Sequence, residues 1–207
     1  HTRTLLRHYA RNGLLDSPIA DRVVADIAIE MAPGERALYE AVEEYISKTY
    51  QAATPGKRTA VGFVMTTYRR RVASSFHALR RTLEKKLALM DTQGKPPVLD
   101  ETQLYEDASQ DELLDEVNSP EDTADLEQAA LAFEQKETIR SLLKSIAKLG
   151  TDSKALRLIT ELIRVFADGY GGAIIFTQYA DTMEFLKDFV AERVDLPIGC
   201  FSGEGGQ

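Results

Sequence analysis

The sequence predicts a mostly α-helical chain with an α/β portion near its C-terminal end. Before residue 151, apolar residues recur mainly three or four positions apart, which is the spacing of amphipathic helices. The apolar run from Ala173 to Phe176 follows a Gly pair and precedes Thr-Gln-Tyr, as expected for a buried parallel strand. Residues 100–135 contain 13 acidic residues and no basic one, and we interpret 100–125 as an acidic loop.

In the first unit, residues 1–31, the sequence pattern predicts a short basic helix and a strand. Residues 3–12 have a helical pattern that Gly13 closes. From residue 22 to residue 31, apolar residues alternate with other residues, and this period of two indicates a half-buried strand.

The second unit, residues 32–150, is predicted to be a helical insertion or protrusion. Pro33 suits the first position of its first helix. One apolar stripe then continues from Thr59 to Met90, which predicts a single long helix. The remaining surface of that helix is basic, with Glu84 as its only acid, and it carries Arg69, Arg70, Arg71, Arg80, Arg81, Lys85 and Lys86.

The third unit, residues 151–207, is predicted to begin an α/β domain. Asp152 or Ser153 can cap a helix that Gly169 closes. The strand at 173–177, a helix from about Asp181 and a strand around 198–201 then follow with short connections. This order predicts a right-handed parallel crossover.

Composition narrows the class of protein. The 207 residues are 43% hydrophobic, which is enough for a core, and contain neither a membrane-spanning run nor a signal-peptide pattern. We therefore expect a soluble, cytoplasmic protein with no membrane partner. Cys200 is the only cysteine and is expected to be a buried thiol. Because the chain starts at His1 and stops just after a predicted strand, we expect an excised piece of a longer protein.

The net charge of −8 hides a segregation of charge along the chain. Residues 1–99 contain 16 Lys and Arg against 10 Asp and Glu, whereas the acidic segment follows directly. A basic face therefore remains compatible with nucleic-acid binding despite the acidic total.

Several segments resemble one family in the family's own order. Ser153-Lys154-Ala155-Leu156 with Leu162, then Ala173 to Tyr179, then Met183, Phe185 and Leu186 resemble the block that opens the second RecA-like lobe of Swi/Snf-type ATPases in helicase superfamily 2. Asp152-Ser153-Lys154 lacks the middle Gly of that block. Thr2-Arg3 and the segment from Pro33 to Tyr39 are similar to elements after the first lobe. Residues 69–84 are similar to a helix of the bacterial RapA/HepA-like branch.

The resemblance implies an ATP-dependent enzyme that moves along double-stranded DNA, or acts on a transcription or nucleoprotein complex. The chain would run from the end of the first lobe to a truncated parallel βαβ unit of the second. Residues that match the family's nucleic-acid-contacting positions are Thr177 and Gln178 after the first strand, and Ser202 and Gly203 after the second. Phosphate contacts are also expected from Arg69, Arg70, Arg71, Arg80 and Arg81.

ATP hydrolysis is not expected from these residues alone. The sequence has no G-x-x-x-x-G-K-[ST] loop and no Asp-Glu pair after a strand at the expected place, so no catalytic residue is assigned. ATP and Mg²⁺ are expected only for the longer parent. His8 and His77 have no partners at metal-ligand spacing, and no metal site is predicted.

Each candidate site also has a simpler interpretation. The Thr177–Gln178 turn can merely cap the next helix, and the basic face can be solvated or paired with the acidic stretch at 100–127. A different class of function is also open. In that hypothesis the chain is a helical interaction module, whose stripe between residues 59 and 90 docks a protein partner.

Overall fold

A computed structural model describes residues 3–14, 23–91, 135–150, 152–202 and 205–206. Helices dominate these residues, so the predicted mostly α-helical class is confirmed. The elements are α1 (Arg3–Arg11), α2 (Pro33–Ala52), a 3₁₀ turn (Pro55–Lys57), α3 (Arg58–Ser74), α4 (Phe76–Asp91), α5 (Lys136–Lys148), α6 (Ser153–Ala167), α7 (Ala180–Ala191), β1 (Phe201–Ser202) and β2 (Gly205–Gly206).

Several helix ends lie where the local sequence predicts them. Pro33 begins α2. The Asp152 carboxylate accepts the N–H groups of Lys154 and Ala155 in α6 at 2.9 and 3.1 Å, which is the expected N-cap. Gly13 and Gly169 follow α1 and α6 with φ angles of 67° and 89°. Glycine adopts this left-handed conformation without the steric cost that a Cβ imposes.

The larger hydrophobic core lies among α2, α3, α4 and α5. Tyr45 of α2 stacks on Tyr68 of α3, with ring centroids 6.2 Å apart. Ile139 of α5 is completely buried in the same cluster. Because α2 and α5 of the same chain cover the apolar stripe, that stripe is not free to dock a protein partner. The stripe residues that point into this core are Val61, Val64, Tyr68, Val72, Leu79 and Leu83.

The single helix predicted between residues 59 and 90 is in fact two helices. Ser75 separates α3 from α4 and has extended backbone, with φ −162° and ψ 152°. Its hydroxyl oxygen accepts the N–H of Ala78 at 3.0 Å and so caps α4. Serine side chains compete with the helical backbone for hydrogen bonds in this way. The apolar periodicity continues across the break, which is why periodicity alone did not reveal it.

A smaller hydrophobic core joins α6 and α7. Ala155, Ile159 and Leu162 of α6 face Phe189 and Val190 of α7, and all five are at most 9% exposed. Helix α7 also packs against α4. The first residues of α7 therefore lie close to the break between α3 and α4.

The predicted buried strand at 173–177 is wrong for this structure. These residues have no regular secondary structure, and Ile174 and Phe176 are 82% and 89% exposed. A buried parallel strand needs a hydrogen-bonded neighbour and a packed layer on each face. Among the described residues no strand lies beside this segment.

The other two predicted strands are also absent or much reduced. Residues 23–32 have no regular secondary structure, and Val23 is 88% exposed, because no described strand pairs with them. Of the strand expected around 198–201, only Phe201 is in β1, which pairs antiparallel with β2. The described residues thus show a short hairpin at this point, and the RecA-like parallel βαβ unit is not shown.

Some predictions fall on residues outside the described ranges. The acidic segment at 100–125 and Gly203 are among them. The cysteine expected to be buried, Cys200, is a free thiol of intermediate exposure.

Candidate nucleic-acid interface

The polar turn formed by Thr177 and Gln178 leads directly into α7. The Thr177 hydroxyl donates a hydrogen bond to the main-chain oxygen of Tyr179 at 3.0 Å. The same oxygen accepts the N–H groups of Thr182 and Met183, both at 3.1 Å. Gln178 is exposed, whereas Tyr179 is only 2% exposed. The turn is therefore held to the first turn of α7 on one side and presents Gln178 at the surface on the other.

Arg71, predicted to contact phosphate, instead lies inside the protein. Its side chain is 5% exposed, and Nη1 donates to Oδ2 of Asp181 at 2.5 Å. Its guanidinium carbon lies 4.6 Å from the centroid of the Tyr179 ring, in a cation–π contact. Burial raises the pKa of Tyr179, although Arg71 acts in the opposite direction. A charge so enclosed cannot reach a nucleic-acid backbone, so the prediction for Arg71 is corrected.

Three hydroxyl groups adjoin this ion pair. Oγ of Ser74 and Oγ of Ser75 lie 2.8 and 2.9 Å from Oγ1 of Thr182. Ser75 and Thr182 are each 4% exposed. We call this cluster the joint; it is made of Arg71, Asp181, Tyr179, Ser74, Ser75 and Thr182.

A lysine from the segment that resembles the second-lobe block reaches the same place. Nζ of Lys154 in α6 donates to the carbonyl oxygens of Ala73 and Ser74 at 2.8 and 3.3 Å. These carbonyls lie at the C-terminal end of α3, where a cation is favourable. Lys154 thus ties α6 to the break between α3 and α4.

Two other segments that carry the resemblance also meet. The Glu35 carboxylate accepts the N–H of Ala32 through Oε2 and the N–H of Ser153 through Oε1, both at 2.7 Å. Burial disfavours the carboxylate, but the hydrogen bonds from Ser153 and Ala32 outweigh burial and lower the Glu35 pKa. This contact links the start of α2 to the start of α6.

Of the remaining predicted arginines, Arg69, Arg80 and Arg81 have acidic neighbours. Arg69 donates to both carboxylate oxygens of Glu43 at 2.8 to 3.0 Å, and this pairing raises the Arg69 pKa. Arg80 and Arg81 share Glu84 at 3.3 and 4.0 Å, and both side chains are nearly half exposed. Arg70 is partly buried. Phosphate contact by Arg69 would require its bidentate pair to open, whereas the Arg80 and Arg81 side chains are 43% and 47% exposed and each has five donors.

Arg80 and Arg81 line a cleft of about 380 Å³ between α4 and α7. The His77 ring stacks on Phe185 with centroids 5.4 Å apart. Burial, and then the nearby Arg80, lower the His77 pKa. The cleft combines two arginines from α4 with acidic and aromatic residues; its lining residues are His77, Arg80, Arg81, Glu184, Phe185, Asp188, Phe189 and Glu192.

The structure brings part of the predicted site together. Nε of Arg81 lies 3.8 Å from Oδ1 of Asp181, so the arginine pair stands beside the start of α7. Ser202, which was predicted to follow the second strand, lies within β1 and is partly buried. Sequence reasoning missed the roles of Asp181 and Thr182. The Ser74-Ser75 pair inside a long helical pattern could have indicated the break between α3 and α4, because such residues favour caps over helix interiors, but not its partners on α7.

Comparison with known proteins adds no relative. The chain matches no family model, no curated protein and no solved structure. Within the described ranges, no cluster of His, Cys, Asp and Glu side chains is arranged to bind a metal ion. No helix in those ranges has the length and apolar character needed to cross a membrane.

Proposed function

We propose that this chain is part of a Swi/Snf-type ATPase of helicase superfamily 2, of the RapA/HepA-like branch, that moves along double-stranded DNA. The chain would contribute contacts to the nucleic-acid backbone and coupling between the two lobes. The observation that carries the proposal is the segment from Ala173 to Tyr179, followed by a helix in the family's order. ATP and Mg²⁺ would be bound by motifs that this sequence does not contain.

Support for backbone contact comes from the surroundings of the polar turn. Gln178 is exposed, Arg81 has a half-exposed side chain beside the first turn of α7, and Arg80 next to it on α4 is similarly exposed. Amide and guanidinium donors suit phosphate oxygens and read no base sequence. A phosphate would compete with Glu84 for the two arginines, and binding should weaken as salt rises.

Support for coupling comes from contacts between segments that carry the resemblance. Glu35 receives the N–H of Ser153, and Lys154 caps the end of α3. Residues from the helical unit and from the third unit are thereby joined through hydrogen bonds. Side chains that span such a junction can transmit a change of position from one unit to the other.

Fluorescence anisotropy of a labelled DNA duplex, measured at several salt concentrations, tests the proposal. We expect the double substitution Arg80→Gln/Arg81→Gln to weaken binding and to reduce the log–log salt slope by about 0.9 for each phosphate that is no longer neutralised. Thr177→Ala/Gln178→Ala should weaken binding with little change in slope.

The matched control is Arg157→Gln/Arg164→Gln on α6. Those two arginines also share one glutamate, Glu161, and are similarly exposed. If the wild-type chain does not bind the duplex at low salt, or if both arginine pairs matter equally, the proposal is wrong.

A further inference from the structure

The joint has more directional constraints than an ordinary contact between helices. Arg71 meets the Asp181 carboxylate at 2.5 Å while its planar group lies over the Tyr179 ring at 4.6 Å. A guanidinium satisfies both demands at once, whereas a lysine ammonium is a compact charge without a plane. The arginine therefore fixes the orientation of Tyr179 and Asp181 together, and not merely their proximity.

Fixing Tyr179 also fixes the turn before it. The main-chain oxygen of Tyr179 accepts the Thr177 hydroxyl and two N–H groups of α7. The Tyr179 side chain is enclosed, whereas Ile174 to Phe176 just before the turn are exposed. The joint is thus the nearest packed anchor for Thr177 and Gln178 in the described part of the chain.

The other half of the joint belongs to the break between α3 and α4. Ser75 caps α4 and contacts Thr182, and Arg81 on α4 reaches Asp181. The polar turn and Arg81 are consequently held by one common anchor, and Arg80 is the neighbour of Arg81 on the same helix.

We propose that Arg71 and Asp181 are positioning residues, which hold the Thr177–Gln178 turn in a fixed orientation relative to Arg80 and Arg81. The inference rests on the proposed function only in treating these two surfaces as one binding site. The turn and the arginines would then be aligned before a duplex binds. No free energy of binding would be lost in ordering the turn. Disruption of the joint would leave both arginines on α4, but Arg81 would lose its contact with Asp181 and the turn would no longer be aligned with them.

Hydrogen exchange of the complete 207-residue chain tests the anchor without any ligand. Asp181→Asn keeps the shape of the side chain and removes its charge. We expect the amides of Thr182 and Met183 to exchange at least about tenfold faster, because the first turn of α7 opens more often. Asp188→Asn, an exposed acid on the same helix, is the matched control and should leave these rates unchanged.

Duplex binding then tests the alignment. Gln178→Ala should weaken binding in the wild-type background and have no further effect in the Asp181→Asn background, since the turn is already displaced. Arg71→Lys serves as a second variant if Asp181→Asn does not fold, and it should uncouple the turn in the same way because it retains charge but not the stack.

The outcomes separate the two proposals. Unchanged exchange at Thr182 and Met183 in both joint variants overturns the positioning role, whatever the chain binds. Equal effects of Gln178→Ala in wild-type and joint-variant backgrounds also overturn it. Failure of the wild-type chain to bind the duplex overturns the proposed function, while faster exchange in that case still supports the anchor and removes its link to DNA.

Discussion

Ser75 serves two helices with one hydroxyl group. Its oxygen accepts the N–H of Ala78 in α4 and lies 2.9 Å from the Thr182 hydroxyl of α7. Alanine at this position would remove the cap and deprive the buried Thr182 hydroxyl of one hydrogen-bonding partner. We expect Ser75→Ala to lower the free energy of unfolding by about 1–3 kcal/mol, measured by urea denaturation.

Ser145→Ala on α5 provides the comparison, since Ser145 is exposed within a helix. Its substitution should change the free energy of unfolding by less than about 0.5 kcal/mol. If the two alanine variants are equally stable, the hydroxyl of Ser75 does not hold the break between α3 and α4.

Arg71 is another single residue, and it shows why charge in a sequence does not identify a binding surface. It stands in a row with Arg69 and Arg70, yet only the structure reveals that it points toward Asp181, which is 110 positions away. No local pattern contains the identity of such a partner. The exposed pair Arg80 and Arg81 could be predicted, because neighbouring basic residues on an amphipathic helix usually face solvent.

At the scale of elements, Glu35 joins the beginnings of α2 and α6. Hydrogen bonds to its carboxylate lower its pKa in the folded chain despite burial. An unfolded glutamate titrates near about pH 4.3. The stabilisation is therefore complete above that pH, and it is lost as the pH falls through the lower, folded pKa.

We expect Glu35→Gln to cost about 1–3 kcal/mol at neutral pH and to make stability less dependent on pH below about pH 5. Urea denaturation at a series of pH values measures both effects. Glu137→Gln on α5 is the control, because the Glu137 side chain is 82% exposed. Parallel pH profiles for wild type and Glu35→Gln would contradict the link between α2 and α6.

Helix ends were more predictable than strands. Pro33, Asp152 and the glycines after α1 and α6 act through neighbouring backbone groups, so local sequence is sufficient. Strands depend on partners elsewhere in the chain. The apolar run at 173–177 has the composition of a strand, but composition cannot supply the neighbouring strand to which it would bond.

For the molecule as a whole, the apolar segment at 173–176 is exposed in the structure, whereas the sequence predicted a buried strand there. Phe176 is 89% exposed, whereas Phe189 is buried between α6 and α7. We expect Phe176→Ala to change the free energy of unfolding by less than about 0.5 kcal/mol, and Phe189→Ala to lower it by about 3–5 kcal/mol. Thermal and urea denaturation of both variants provide the measurement.

A similar destabilisation of the two phenylalanine variants would mean that Phe176 is packed in solution, as the sequence predicted for a buried strand.

As with the fold, the local part of the candidate site could be predicted from the sequence, whereas the long-range part could not. Thr177 and Gln178 could be selected because they follow an apolar run, whereas the joint that holds them is made by residues brought together only in the folded chain.

The long span of the joint has a consequence for how the chain folds. Its contacts connect residues 107 to 110 positions apart, so closing them costs more chain entropy than forming the contacts between α3 and α4, although this cost grows only with the logarithm of the separation. Helices α2, α3 and α4 are consecutive and can pack first, whereas α5 and the joint both need long-range closure and are expected to form later. Substitutions there should accordingly act on the rate of unfolding more than on the rate of folding.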